Sequence, residues 1–195
     1  QILLSFEQDG PPRSFGTAFE VCNMGKSSLK LDLKVISEVE IFLDLLRSAD
    51  VFVTNVRVDA LKRLGLDYLR IAKAYPNLIY AHITAFGRTG PEMLEPGYDI
   101  GAFWANTGIA ASIQSSDRAH LYPSAFGDIT TASVLFFGII AALTDRISTG
   151  QGRLVDASLL RSGLWCLSPV LCTTDPDDRE CVPAVMPSQE DPTNR

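Results

Sequence analysis

The chain has 195 residues, 46% hydrophobic and 21% charged, the balance of a globular chain long enough for one sizeable core. A net charge of −6 and a pI near 4.9 exclude a general nucleic-acid binder, which needs clustered Lys and Arg to neutralise phosphates. Four cysteines (Cys22, Cys166, Cys172, Cys181) form no C-x-x-C pair and only His82 and His120 accompany them, so no metal site is expected. Sixteen uncharged residues lie between Asp128 and Asp145, short of the run that spans a membrane, and Thr130, Thr131 and Ser133 dilute them. No secretory signal is visible, which points to reduced thiols and an intracellular setting, cytoplasmic or mitochondrial. The chain opens on Gln1 rather than Met, as expected of a sequence that starts inside a longer one.

In chain order, "SLKLDLK" (28–34) alternates apolar and polar residues and predicts a half-buried strand. "SEVEIFLDLLRSAD" spaces Val39, Phe42, Leu43 and Leu46 as a helix, with Ser37 placed to cap it. "VFVTN" (51–55) is a short β-branched strand. "DALKRLGLDYLRIAKAYPN" gives two short helices broken near Gly65 and stopped before Pro76. "LIYAHITAFG" (78–87) is a further strand, followed by a Gly- and Pro-rich loop, a helical pattern from Tyr98 through Trp104, and the polar loop "QSSDRAHLYPS". A long apolar helix runs from about Asp128 to Ile147. A short strand in "GRLVDASLL" and a helix through Trp165 complete the pattern. The alternation of strand and helix predicts an α/β fold, a Rossmann-like parallel sheet with helices on both faces. Residues 1–172 are expected to form one partial large domain. The proline- and acid-rich 173–195 are expected to form an extended or disordered arm. In such sheets ligands bind off the carboxyl ends of the strands, which brings forward Asn55, Gly87-Arg88 and the turn at Tyr98.

Asp128 has two readings on the residues alone. It is an N-cap on a core helix, worth about 1 kcal/mol, or a carboxylate held for chemistry at the edge of an apolar pocket. A positioned, partly desolvated carboxylate is a competent nucleophile. The helix dipole favours its charge while burial opposes it. Leu135, Phe136 and Phe137 are expected to screen it from water.

Five segments in order, "NMGKSSLKLDLK", "ADVFVTNVRVDALKRLGLDYLRIAKAYPNLIYAHITAFGRTGP", "GYDIGAFWANTG", "FGDITTA" and "TGQGRLVDASLL", together resemble the class III coenzyme A-transferase family, which includes the α-methylacyl-CoA racemases. The match covers roughly residues 19–165, the N-terminal part of the family fold, with its first strand and helix missing. The resemblance implies an acyl-CoA thioester and a carboxylic acid as substrates, with no tightly bound cofactor. It also implies an interlocked homodimer in the full-length protein. It makes Asp128 the covalent nucleophile, working through anhydride and aspartyl-CoA intermediates. Asn55, Val56, Ala60, Arg63 and Leu64 would line the CoA site, with Lys26 a further phosphate contact. Tyr98 and Arg88 would shape the acyl pocket.

Val58-Asp59 stands where the family has Pro-Gly, and this adds a carboxylate near the expected phosphates. Thirty residues before Asp128, Tyr98 stands where the racemases place histidine. Two-base proton exchange needs a partner that titrates near neutrality, which tyrosine does not. His120 is read as a solvated loop residue. The rival readings are an acyl-CoA racemase or isomerase, and a truncated, non-catalytic CoA-binding protein.

Overall fold

The computed structural model describes residues 2–5, 17–113 and 123–173. The greater part of the loop at 114–124, with His120, and the segment 174–195, with Cys181, lie outside the described residues. The chain divides into two compact units, residues 1–49 and 50–195.

The first unit holds β1 (Ile2–Ser5), α1 (Thr17–Asn23), β2 (Ser27–Lys30) and α2 (Ile36–Leu46). β1 and β2 pair in parallel, Ile2 opposite Ser27. Neither β1 nor α1 is anticipated by the sequence pattern. The strand expected over 28–34 stops at Lys30, because Asp32 turns the chain by accepting the Lys34 amide at 2.9 Å. α2 starts two residues earlier than a Ser37 cap would place it. Val35 takes the cap position with no side-chain bond, and Glu38 instead reaches back to the amide of Asp32. Phe42 and Leu46, four residues apart, are buried as the spacing requires.

The second unit is built on β3 (Val51–Thr54), β4 (Ile79–Thr84) and β5 (Leu154–Ser158), all parallel with β4 central. α3 (Val58–Leu64) and α4 (Tyr68–Ala74) connect β3 to β4. α3 ends at Gly65, whose φ of 71° is the left-handed turn that glycine adopts without strain. Between β4 and β5 come a π-helix (Asp99–Ala105), α5 (Ile109–Ile113) and α6 (Phe126–Thr149). α7 (Leu159–Cys166) and α8 (Ser168–Thr173) follow β5.

Side chains alternate across the sheet. On one face Ala81 and Ala157 pack against Leu135 of α6, with Ile83, Ile139 and Val155 around them. On the other, Tyr80 donates its hydroxyl to the Leu66 carbonyl at 2.8 Å, and its ring meets Tyr68 edge-on. Helices thus cover both faces of an open parallel α/β sheet. A second cluster joins Ala102, Phe103 and Trp104 of the π-helix to Leu159 at the start of α7.

α6 exceeds the sequence expectation. It extends from Phe126 to Thr149, 24 residues, and an 18-residue window within it has a mean hydropathy of 1.8. By length and composition alone it could cross a membrane, because Asp128 and Asp145 lie inside the helix instead of bounding it. In this structure it packs on β4, β5, α7 and the π-helix. Phe136, Phe137 and Ile147 remain exposed on it.

Candidate active site

Asp128 stands in the first turn of α6. The helix enters through Ala125, which takes the cap position in the left-handed region (φ 59°) without any side-chain bond. Asp128 is therefore the third helical residue, and the N-cap reading is wrong because the turn starts two residues before it. Among the described residues its carboxylate takes no hydrogen bond and no ion pair. It is exposed overall, yet the groups packed around it push its pKa up, first by desolvation and then through the nearby charge of Asp99.

What lies beneath that turn is a tight joint. Gly127 is buried, and a Cβ there would collide with Asp99 Oδ1 and with Phe103. Asp99 opens the π-helix and is 6% exposed. Its Oδ2 accepts the Trp104 indole N–H at 3.3 Å, while Oδ1 is buried without a hydrogen-bond partner among the described residues. Phe126 stacks its ring against Trp104 and Phe103, centroids 5.6 and 6.2 Å away. The expected screen of Leu135, Phe136 and Phe137 is elsewhere. These residues follow Asp128 by two turns of helix, about 10 Å along the axis. Leu135 points into the sheet, while Phe136 and Phe137 are exposed. Tyr98 caps the π-helix through its backbone, and its ring is 86% exposed, so it is no packing residue.

The loop after β3 forms a second locus. Asn55 is exposed and Val56 half-buried. Thr54 Oγ1 accepts the Val56 amide at 3.2 Å, and His82 Nε2 donates to the Val56 carbonyl at 2.8 Å. His82 is 1% exposed, and burial drives its pKa down. Ala60 and Leu64 lie half-buried on α3. Arg63 points back at Asp59, 2.8 Å away, and Arg57 approaches the same carboxylate at 3.8 Å. The bond from Arg63 holds Asp59 below the usual carboxylate range. Arg88 lies over the Tyr68 ring, 5.8 Å from its centroid. It lines a cavity of about 60 Å³ with Lys62, Tyr68, Tyr80 and His82. Neither Asp128 nor Tyr98 lines that cavity.

A sequence profile described as CoA-transferase family III matches residues 7–192. The chain belongs to this family. It is 35% identical over 156 residues to the (R)-2-hydroxy-4-methylpentanoate CoA-transferase of Clostridioides difficile, covering 80% of this chain and 39% of that protein. It is 36% identical over 155 residues to the acetyl-CoA:oxalate CoA-transferase of Acetobacter aceti, covering 78% and 40%. Among solved structures, a CAIB/BAIF family protein from Brucella suis superposes with a TM-score of 0.72 at 33% identity, over 77% of this chain and 40% of that one. The chain spans about two fifths of the length of the curated relatives it matches.

Within this family III chain, the structure brings Asn55, Val56, Ala60, Arg63 and Leu64 together on the β3–α3 connection and the helix after it. Arg88 falls in with Tyr68 and His82 instead of beside Asp128's turn. Lys26 belongs to the other compact unit, where its Nζ donates to Asn23 Oδ1 at 3.1 Å. Two residues escaped the sequence reading. Asp99 is visible there only as the neighbour of Tyr98. His82 carries the period-two signal of β4, in which Tyr80 and His82 share a face, but nothing in a strand pattern announces its bond to Val56.

Proposed function

We propose that the protein supplies the nucleophile and part of the CoA site for transfer of CoA between a small acyl-CoA and a carboxylic acid. Asp128 attacks the thioester carbonyl, and the CoA thiolate leaves, giving a mixed anhydride. The thiolate then attacks the Asp128 carbonyl carbon, which releases the first acid as its carboxylate and leaves an aspartyl-CoA thioester. The acceptor carboxylate repeats both steps in reverse order, returning Asp128 as a free carboxylate and CoA as the new thioester. No proton is gained or lost overall. The observation that carries this reading is an exposed carboxylate in the first turn of a long helix, unpaired among the described residues, made more basic by its surroundings. A raised pKa strengthens a carboxylate as a nucleophile.

On this reading Asn55 and Val56 hold the nucleotide end of CoA. Arg63 meets its phosphates, where charge-assisted bonds are strong. Ala60 and Leu64 pack against the adenine, and Tyr98 shapes the acyl end. Asp59 competes with the phosphates for Arg63. The full-length protein works as an interlocked homodimer, in an intracellular compartment.

The test offers acyl-CoA and acceptor acid to the protein and to Asp128→Asn, in heavy water. Transfer of CoA that disappears in the variant supports the reading. Deuterium entering the acyl α-carbon without transfer points to a racemase, and neither signal leaves a non-catalytic CoA binder.

A further inference from the structure

The joint between the π-helix and α6 contains a group that packing alone does not require. Asp99 is more than nine-tenths buried, and it satisfies only one oxygen, through Trp104. Oδ1 occupies the space a Cβ on Gly127 would need and has no hydrogen-bond partner among the described residues. A buried unpaired charge is costly. Asparagine would fill the same volume and accept the same indole N–H without that cost.

We propose that Asp99 is a positioning residue for Asp128, its buried carboxylate acting across Gly127 as a fixed negative charge on the nucleophile's first helical turn. This rests on the reading of Asp128 as nucleophile. Gly127 is the element that allows it, since any side chain there would collide with Asp99 and Phe103. The effect is to disfavour the ionised form of Asp128 and so to keep its carboxylate electron-rich toward a thioester carbonyl.

Among the described residues, no cation stands ready to cancel this charge. α5 contains none, and neither do Pro123, Ser124 and Ala125 at the entry to α6. The charged residues of α6 after Asp128 begin only at Asp145. α7 offers Arg161, which is engaged by Asp156 of β5 at 3.2 Å and by the Asp156 carbonyl at 3.1 Å.

The test follows the Asp128 side-chain carboxyl by carbon NMR against pH in the unmutated chain and in Asp99→Asn, the signal assigned by its loss in Asp128→Asn. In parallel, the pH dependence of hydroxylamine-trapped acyl loading is measured. Asp99→Asn should lower the Asp128 midpoint, and the acid limb of loading should move to lower pH by the same amount. An unchanged midpoint in folded Asp99→Asn overturns the proposal, as does a loading limb that stays in place while the midpoint falls. If neither protein loads but the midpoint falls, the catalytic reading fails and the coupling of the two acids stands. Should Asp99→Asn fail to fold, a second variant decides. Asp99→Ser then takes its place, and an Asp128 midpoint in that variant equal to the unmutated chain's overturns the proposal.

Discussion

Replacing Gly127 with alanine puts one methyl group into the joint under the candidate nucleophile. Gly127 has no left-handed backbone, so alanine is not strained there, and helical preference alone would favour it by up to about 1 kcal/mol. Packing opposes this. The new Cβ would stand 2.6 Å from Phe103 Cβ and closer still to Phe103 Cγ and Asp99 Oδ1. Neither neighbour has room to move. Phe103 is 1% exposed, and Asp99 is tied to Trp104. Overpacking costs about 1–3 kcal/mol, and contacts this short put Gly127→Ala at about 2–3 kcal/mol, so the clash wins by roughly 1–2 kcal/mol after the helical gain is subtracted. For a chain of this size that lowers Tm by about 2–8 °C. Gly101→Ala is the control. It lies in the same π-helix with open space around its Cβ, and it should be neutral or slightly stabilising. Thermal melts of the three proteins decide. Gly127→Ala melting at or above the parent would refute the packing argument, and with it the close approach of Asp99 to Gly127.

Four further outcomes follow from the same contacts. Asp59→Gly removes the carboxylate that engages Arg63 and Arg57, and should tighten CoA binding about two- to fivefold by calorimetry, the range of an exposed ion pair. Tyr80→Phe leaves the Leu66 carbonyl without its donor and should cost about 1–2 kcal/mol in urea unfolding. Burial holds His82 below its ordinary 6.5, so between the two values the unfolded chain binds a proton that the folded chain refuses. Stability should fall as pH drops through 6.5 and level off below the folded value, and His82→Gln should flatten that part of the profile. The raised pKa of Asp128 has the opposite sign. Its contribution is present at low pH and lost as pH rises through the folded value, so Asp128→Asn should be more stable than the parent at pH 7 while losing acyl loading.

The β–α alternation was legible because strand and helix periods differ and because Gly65 and Pro76 punctuate the chain. Element ends were harder. Ala125 starts α6 in a left-handed conformation that no alanine signals, so the sequence pattern puts the helix start two residues late and keeps an N-cap as one of two readings of Asp128. The π-helix reads as an ordinary helix, since one extra residue per turn leaves little trace over seven residues. Asp128, Asn55 and Arg63 were nameable from their motifs. What each touches was not, because it depends on packing between elements far apart in sequence. Asp99 meets Gly127, His82 meets Val56, and Arg88 meets Tyr68. The pairing of Arg63 with Asp59 is the exception. Four residues apart on a helix, these two are neighbours by geometry.

The central claim is that the side chain at 128 becomes covalently acylated. It is met most directly by adding acyl-CoA to the protein, quenching with hydroxylamine, and locating the product by peptide mass spectrometry. A hydroxamate confined to the peptide that carries Asp128, and absent from Asp128→Asn, is the predicted result. A hydroxamate on another residue, or CoA transfer that proceeds undiminished in Asp128→Asn, would contradict it.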